Sequence, residues 1–376
     1  MKIMDGQKHG PAITRRAFLA AAGAAGATAF LLTNAPQVAA AIANSDTKLV
    51  WLRGAGCGGC TTSLLNGGNP EVLTALNNIT IDLSYHDEFN FQQGLFVEGS
   101  PVGDTTHNSN LLLDSLTNAG NYVLVVEGAI PDGPGGSGKY CMSGAMPFKQ
   151  IFIEAAGNAS SIVAVGTCAS YGGISRSLQL TDSAGVAFSG TSRQQGAMSL
   201  YGLSKNVINI PGCPSNPDWL ILTLADVVTG AGIDLDLYGR PTAFFGGLVH
   251  DSCPRRGAFD RDAWDSNFSD GNCLYSLGCK GPLAFADCPT RRWNGGVNMC
   301  TQSGGPCIAC VEPEFPDAFM PFFQRVESKS IIGDLNVDAA AKIIVGASVL
   351  GVGIHAVKRL AVGESGRDEN EKGGKK

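Results

Sequence analysis

The chain has 376 residues, of which 44% are hydrophobic and 16% are charged, and its formal net charge is −6. This length allows two domains with real cores. The sequence has no basic stretch with interleaved aromatic residues, so nothing in it indicates nucleic-acid binding. Its 50 glycines and 12 cysteines are the unusual feature, because many of the glycines lie beside cysteines in predicted loops.

Residues 1–43 have the pattern of an export signal. Arg15 and Arg16 form a twin-arginine pair, an apolar segment rich in Ala and Gly follows, and small residues at 39–43 offer cleavage sites. The alternative is an ordinary N-terminal helix with a chance arginine pair. The pattern predicts a signal peptide that is absent from the mature fold. It also predicts export of a folded, cofactor-loaded protein to the periplasmic side of the cell membrane.

Five short apolar runs follow, and each leads into a loop and a helix-like segment. They span residues 48–52, 79–85, 122–126, 161–165 and 207–210. Such near-continuous apolar runs are typical of strands that are buried on both faces of a parallel sheet. Residues 48–238 are therefore predicted to form an α/β domain with an open parallel sheet.

Four cysteines lie just after predicted strands: Cys57, Cys60, Cys168 and Cys213. In an open parallel sheet, ligands bind beyond the carboxyl ends of the strands, so these distant thiols should converge at one edge. Four converging thiolates are the ligand set of a 4Fe–4S cluster. A four-cysteine zinc site and disulfides are the alternatives. Flanking glycines favour the cluster, because they allow backbone to approach it closely.

The region 240–325 has a different character, with seven cysteines between His250 and Cys310 and few long apolar runs. A segment so poor in core-forming residues needs another source of stability, and bound metal clusters can supply it by cross-linking the chain. Three four-ligand clusters need twelve ligands, and eleven cysteines plus His250 supply them. A lone histidine is more often a surface or core residue, but His250 lies three residues before Cys253. Cys141 is left over as a spare thiol, and His86, His107 and His355 are unassigned.

The segment 338–360 is a candidate membrane-anchor helix. Residues 339–356 are almost wholly apolar. The length of this run is at the short limit for a helix that spans a membrane. A surface helix packed on the domain is the alternative. The charged tail at 361–376 is predicted to be disordered.

Ten short motifs are spread over nearly the whole chain: Thr14–Leu19, Gly56–Thr61, Val126–Pro131, Gly166–Cys168, Pro211–Pro214, His250–Pro254, Leu277–Pro282, Arg292–Asn294, Pro306–Cys310 and Glu312–Asp317. With these motifs the sequence resembles the small subunit of nickel–iron hydrogenases, including the nickel–iron–selenium branch. The resemblance implies a flavodoxin-like domain followed by an irregular iron–sulfur cluster domain. It also implies a nickel–iron large subunit as partner, in which hydrogen is split or formed.

The resemblance implies three ligand sets: Cys57, Cys60, Cys168 and Cys213 for a proximal 4Fe–4S cluster; His250, Cys253, Cys273 and Cys279 for a distal one; and Cys288, Cys307 and Cys310 for a medial one. Cys300 stands where the common form has a proline and a 3Fe–4S cluster. A fourth thiolate is therefore available, and a medial 4Fe–4S cluster is expected. Oxygen-tolerant members carry two extra cysteines beside the proximal cluster. Gly59 and Gly173 occupy those positions here, so that mechanism should be absent.

The implied function is an electron relay between the large subunit and an external acceptor. If residues 339–356 anchor the chain, the acceptor is reached through a membrane cytochrome or quinone route. If they do not, a soluble c-type cytochrome is favoured. Glu127 is expected to face the large subunit, to assist proton movement or to fix a loop. Three rival interpretations are a quinone-reductase-type subunit with one cluster, a free-standing iron–sulfur carrier and a disulfide-rich scaffold.

Overall fold

A computed structural model of the chain describes residues 48–68, 82–94, 96–97, 100–229, 232–268, 270–324, 330–332, 335–336, 348 and 351–355. The predicted signal at 1–43 and the predicted tail at 361–376 lie outside these residues. The described residues up to Gln324 belong to one compact unit, and those from Arg325 onward belong to a second.

Five parallel strands form the central sheet: β1 (Lys48–Arg53), β2 (Asp82–His86), β3 (Tyr122–Glu127), β4 (Ser161–Val165) and β5 (Val207–Ile210). Their order across the sheet is β2-β1-β3-β4-β5, which is the flavodoxin-like arrangement. The prediction of a parallel-sheet α/β domain is confirmed. The second predicted run, 79–85, is described from Asp82 and extends to His86.

The described residues of the first unit include ten helices: α1 (Gly59–Leu65), α2 (Ser109–Ala119), α3 (Phe148–Asn158), α4 (Gly166–Tyr171), α5 (Gly173–Arg176), α6 (Ala197–Leu200), α7 (Pro217–Thr229), α8 (Thr242–Phe245), α9 (Arg256–Phe259) and α10 (Cys288–Arg291). The start of α2 shows the usual capping chemistry. The Asn108 side chain accepts hydrogen bonds from the backbone N–H groups of Asn110 and Leu111.

Shorter elements complete the described chain. Two-residue strands occur at Phe96–Val97, Ser100–Pro101, Ile130–Pro131, Met142–Ser143, Met146–Pro147 and Ser183–Ala184. Single turns of 3₁₀ helix occur at Ser177–Gln179, Leu274–Leu277, Gly281–Leu283 and Asp317–Phe319. In the second unit, Ser330–Ile332 pairs with Leu335–Asn336.

The sheet is covered on both faces, because successive residues of a strand point to opposite sides. Trp51 and Val125 face one core, which they share with Trp219 of α7. Leu124 faces a second core, which it shares with Phe152 of α3. With both faces covered, the carboxyl edge of the sheet is left as the place where loops can build a site.

The region after residue 240 has only short helices and irregular backbone, and it is joined to the sheet by a shared core. Phe244, Phe245, Val311 and Phe315 lie in the same buried cluster as Trp51 of β1. The boundary predicted between 238 and 240 therefore stays a prediction, since the two regions pack as one unit.

Only a small part of the candidate anchor at 338–360 is described. Ser348 and Gly351–His355 are helical, and the rest lies outside the described residues. Among the helices that the structure describes, none is long and apolar enough to span a membrane.

Candidate metal centres

The carboxyl edge of the sheet brings together the first predicted quartet. Cys57 and Cys60 lie after β1, Cys168 lies in α4 directly after β4, and Cys213 lies after β5. Burial, together with the neighbouring thiols of Cys168 and Cys57, raises the pKa of Cys213 to about 11. Burial, Glu127 and the thiols of Cys168 and Cys213 raise the pKa of Cys60 as well. Thiols packed this way ionise together only when a cation binds them, so they suit a metal centre.

The backbone around Cys60 leaves no room for other side chains. Gly166 has a φ of +83°, and a Cβ atom there would lie 2.5 Å from the Cys60 sulfur. The Ser215 N–H points at the same sulfur from 3.5 Å. A Cβ atom at Gly173 would lie 3.0 Å from the Cys168 sulfur. Close backbone and N–H groups directed at sulfur are what a cluster cradle requires.

Glu127 ends β3 and is only 2% exposed. Its carboxylate accepts hydrogen bonds from the backbone N–H groups of Cys60 (3.0 Å) and Thr61 (3.2 Å), from the Thr61 hydroxyl (2.5 Å) and from the Trp51 indole N–H (3.2 Å). The two backbone N–H groups belong to the first turn of α1, where they have no partner inside the helix. Glu127 therefore fixes the Cys60 loop in this structure, and a proton-transfer role for it stays a prediction.

His86, which the sequence leaves unassigned, extends this hydrogen-bond network. It ends β2, is 1% exposed and stacks on Phe89 with 4.0 Å between ring centroids. Its Nδ1 accepts the Glu88 N–H at 3.0 Å, so its Nε2 carries the proton and faces the Thr61 hydroxyl at 3.4 Å. Burial, together with Arg53, lowers the pKa of His86 to about 4, so the ring is neutral at neutral pH.

A second quartet lies in the irregular region: Cys288, Cys300, Cys307 and Cys310. Cys288 begins α10, and the other three lie in the loops that follow. Burial raises the pKa of Cys288, and the thiols of Cys310 and Cys300 raise it further. Burial and the same kind of thiol repulsion raise the pKa of Cys310 to about 12. Burial and the thiols of Cys279, Cys310 and Cys288 raise the pKa of Cys307. The four predicted medial ligands, including Cys300, are thus linked by electrostatic interactions that also reach Cys279 of the third set.

The third set lines one cavity. His250, Cys253, Cys273 and Cys279 all face it, together with Thr301 and Arg255. Burial lowers the pKa of His250, and the nearby Arg256 lowers it further, so the imidazole is neutral. Neutral imidazole is the form that binds metals.

Backbone N–H groups of one set are directed at sulfur atoms of the next. The Cys213 backbone N–H points at the Cys310 sulfur, which links the first set to the second. The Cys307 N–H donates to the Cys279 sulfur at 3.3 Å, which links the second set to the third. Each set therefore lies against the next.

All twelve cysteines are free thiols, so the disulfide alternative is not realised in the structure. Cys141 packs against the second core, and its role as a spare thiol stays a prediction. Within the part of the chain that the structure describes, no three His, Cys, Asp or Glu side chains are placed to hold a single metal ion.

Comparison with known proteins identifies the family. The chain is 48% identical to the F420 non-reducing hydrogenase II small subunit of Methanosarcina mazei, over 93% of this chain and 94% of that protein. The chain belongs to the nickel–iron hydrogenase small-subunit family. As a member it is the electron-transfer subunit of a hydrogenase heterodimer and pairs with a large subunit. The periplasmic NiFeSe hydrogenase small subunit of Desulfomicrobium baculatum is 33% identical, over 73% of this chain and 86% of that protein.

Two family profiles match different parts of this hydrogenase small subunit. The profile for the C-terminal part of the NiFe/NiFeSe hydrogenase small subunit matches residues 245–323. The profile for the 20 Kd subunit of NADH ubiquinone oxidoreductase matches residues 57–227. The solved structure of a reduced, active form of the Ni-Fe-Se hydrogenase from Desulfomicrobium baculatum aligns with a TM-score of 0.64 and 33% identity, over 74% of this chain and 99% of that one.

Proposed function

We propose that this hydrogenase small subunit relays electrons through three iron–sulfur clusters. The main support for the proposal is that cysteines far apart in sequence interact electrostatically at the carboxyl edge of the sheet and in the region after residue 240, and that His250, Cys253, Cys273 and Cys279 line one cavity. Cys57, Cys60, Cys168 and Cys213 would hold the proximal cluster; Cys288, Cys300, Cys307 and Cys310 would hold the medial one; and His250, Cys253, Cys273 and Cys279 would hold the distal one.

Hydrogen oxidation at the large subunit releases two protons and two electrons per H₂, and evolution is the reverse. When bound, the clusters would supply one-electron redox chemistry. The chain's own residues set the conditions for it, because hydrogen bonds to sulfur, ligand charge and burial tune a cluster's potential. The neutral His250 replaces one thiolate charge in the distal set. In the proximal set, the Ser215 N–H points at the Cys60 sulfur and is one of the hydrogen-bond donors that would tune the potential of the cluster.

The rival functions explain less of the chain. A quinone-reductase-type subunit would account for residues 57–227 but not for the match over 245–323. A free-standing carrier would not belong to a family of heterodimer subunits. A disulfide-rich scaffold is at odds with twelve free thiols.

Iron analysis and EPR of the purified heterodimer test the three clusters. We expect about 12 iron atoms per copy of this chain, four for each of three 4Fe–4S clusters, beyond those of the large subunit. The oxidised protein should give no strong 3Fe–4S signal, because Cys300 supplies a fourth medial thiolate. The variant Cys300→Pro should lose about one iron atom and gain that signal. Cys141→Ser is the matched control and should change neither. A strong 3Fe–4S signal in the unmodified protein would contradict a medial 4Fe–4S cluster.

We also propose that the complex is exported by the twin-arginine route to the periplasmic side. Arg15 and Arg16 support this, and the relative from Desulfomicrobium baculatum is named periplasmic. Replacing both arginines with lysine should leave active complex in the cytoplasmic fraction. In the exported complex, truncation after Gly333 should release it from the membrane fraction if residues 338–360 anchor it. Normal export of the lysine variant would refute the route.

A further inference from the structure

Thr301 connects the medial and distal sites through a single residue. It directly follows the candidate medial ligand Cys300, and only 2% of it is exposed. Its hydroxyl oxygen lies 3.4 Å from the sulfur of Cys253, a candidate distal ligand. It also lines the cavity that the distal ligands surround. The side chain is therefore buried, polar and directed at a ligand sulfur.

The backbone of Thr301 is held in place by Arg255, which also lines the cavity. Arg255 Nε donates to the Thr301 carbonyl oxygen at 2.7 Å. The same guanidinium pairs at 3.3 Å with Asp265, whose side chain is fully buried. Asp265 in turn accepts the Asn272 N–H at 2.8 Å, next to Cys273. The backbone that carries the Thr301 hydroxyl is therefore fixed, and the hydroxyl can change position only by rotation about χ1.

Thr301 differs from the other donors to distal sulfurs. The Cys279 sulfur accepts backbone N–H groups from Cys307 and Gly281, and the Cys273 sulfur accepts one from Tyr275. The bond at Cys253 comes from a side chain, so a substitution can remove it and leave the backbone in place. This makes its contribution measurable by itself.

We propose that the Thr301 hydroxyl donates a hydrogen bond to the Cys253 thiolate and raises the reduction potential of the distal cluster. The inference rests on the proposed distal ligand set. A cysteine bound to iron has no proton to donate, so the hydroxyl must be the donor. A donor at sulfur stabilises the reduced cluster most, because that form carries more negative charge. Thr301 is accordingly a positioning residue that sets how readily the exit site accepts electrons.

The test is a redox titration of the heterodimer with Thr301→Val, followed by pulsed EPR. The distal cluster is recognised by nitrogen hyperfine coupling from His250, which separates it from the all-cysteine clusters. We expect the reduction equilibrium of this signal to fall by about tenfold, which for one electron is about 59 mV towards lower potential. Thr301→Ser keeps the hydroxyl and should stay close to the unmodified protein. Thr117→Val removes a buried hydroxyl that bonds to the Asp114 carbonyl oxygen, and should not shift the signal.

The possible outcomes distinguish a failure of the Thr301 hydrogen bond from a failure of the distal ligand set. An unchanged potential in Thr301→Val, with the nitrogen-coupled signal intact, would overturn the inference. An equal shift in the Val and Ser variants would do the same, because it would trace the effect to packing. If the unmodified protein shows no nitrogen-coupled cluster, the distal ligand set itself is wrong, and the inference falls with it. A shift in Val that Ser restores supports it.

Discussion

Replacing Glu127 with alanine is expected to destabilise the heterodimer by about 4 kcal/mol and to empty the proximal site. The substitution removes the acceptor for four donors, of which the Trp51 indole N–H and two backbone N–H groups are left with no partner. Each buried donor left unpaired costs about 1–3 kcal/mol. The loop that carries Cys60 would lose its anchor at the same time. We therefore expect iron content to fall by about four atoms, the number in one 4Fe–4S cluster.

Denaturant unfolding and iron analysis of the purified complex measure both effects. Glu88→Ala is the matched control, because Glu88 lies two residues after His86 and pairs with Arg53 at the surface. A surface ion pair contributes about 0–1 kcal/mol, so this variant should keep its stability and its iron. Glu127→Ala with full iron and unchanged stability would show that the loop holds its shape without the carboxylate.

Glu127→Gln separates the charge from the hydrogen bonds. The amide oxygen can still accept the N–H groups of Cys60 and Thr61, while its NH₂ group meets the Thr61 hydroxyl, which can turn to accept. The Trp51 indole N–H is then the one of the three donors left unpaired, so about a third of the cost of the alanine variant is expected, roughly 1.3 kcal/mol. A glutamine variant as unstable as the alanine variant would indicate that the negative charge, and not the pairing, is what matters.

The sheet and its ligand edge could be predicted from sequence because both depend on short-range patterns. Continuous apolar runs mark buried parallel strands, and the residues after such strands meet at one edge whatever their separation in sequence. Cys57, Cys168 and Cys213 are brought together by this rule alone. The C-terminal ligands follow no such rule, because α8 to α10 are short and the loops between them have no period. Only the family resemblance indicates how they group.

The partners of the ligands could not be predicted, because they depend on side-chain contacts across the fold. The sequence leaves His86 unassigned, since one histidine without a neighbouring cysteine carries no signal. His86 lies at the end of β2, in register with Trp51 of the neighbouring strand. This position at the carboxyl edge of the sheet is the signal that could have linked His86 to the site. Thr301 gives no signal beyond its position after Cys300. The two predicted domains also share a core. The sequence does not indicate this, because its composition changes near residue 240 as it would between separate domains.

Replacing Arg240 with methionine is expected to cost about 3–5 kcal/mol, the range for breaking a buried ion pair. Arg240 lies at the predicted domain boundary and is 4% exposed. Its Nε donates to Asp236 at 2.7 Å, and its Nη1 donates to Glu312 at 3.2 Å, two residues after the ligand Cys310. Glu312 also accepts the Phe285 N–H at 2.7 Å. Methionine fills similar space but leaves the Glu312 carboxylate buried with no positive charge beside it.

Denaturant unfolding at several pH values gives this prediction a distinctive signature. Burial already raises the pKa of Glu312, and Arg240 opposes that rise, so the variant should raise it further. The folded variant then holds a proton that the unfolded chain has lost, so its stability falls as pH rises through the folded pKa. The cost of the substitution should therefore be smaller at pH 5 than at pH 8.

Two further variants decide whether the unpaired charge is the cause. Arg240→Met combined with Glu312→Gln removes that charge and should recover part of the loss at pH 8, because a neutral amide costs less to bury than a carboxylate. Arg256→Met removes an exposed arginine that pairs with Asp251 and Asp260, and should cost less than about 1 kcal/mol. A double variant no more stable than Arg240→Met would instead attribute the loss to the contacts of the guanidinium with the Tyr238 and Phe245 rings. With either result, Arg240 would be a residue that stabilises the packing of the region after residue 240 against the sheet domain.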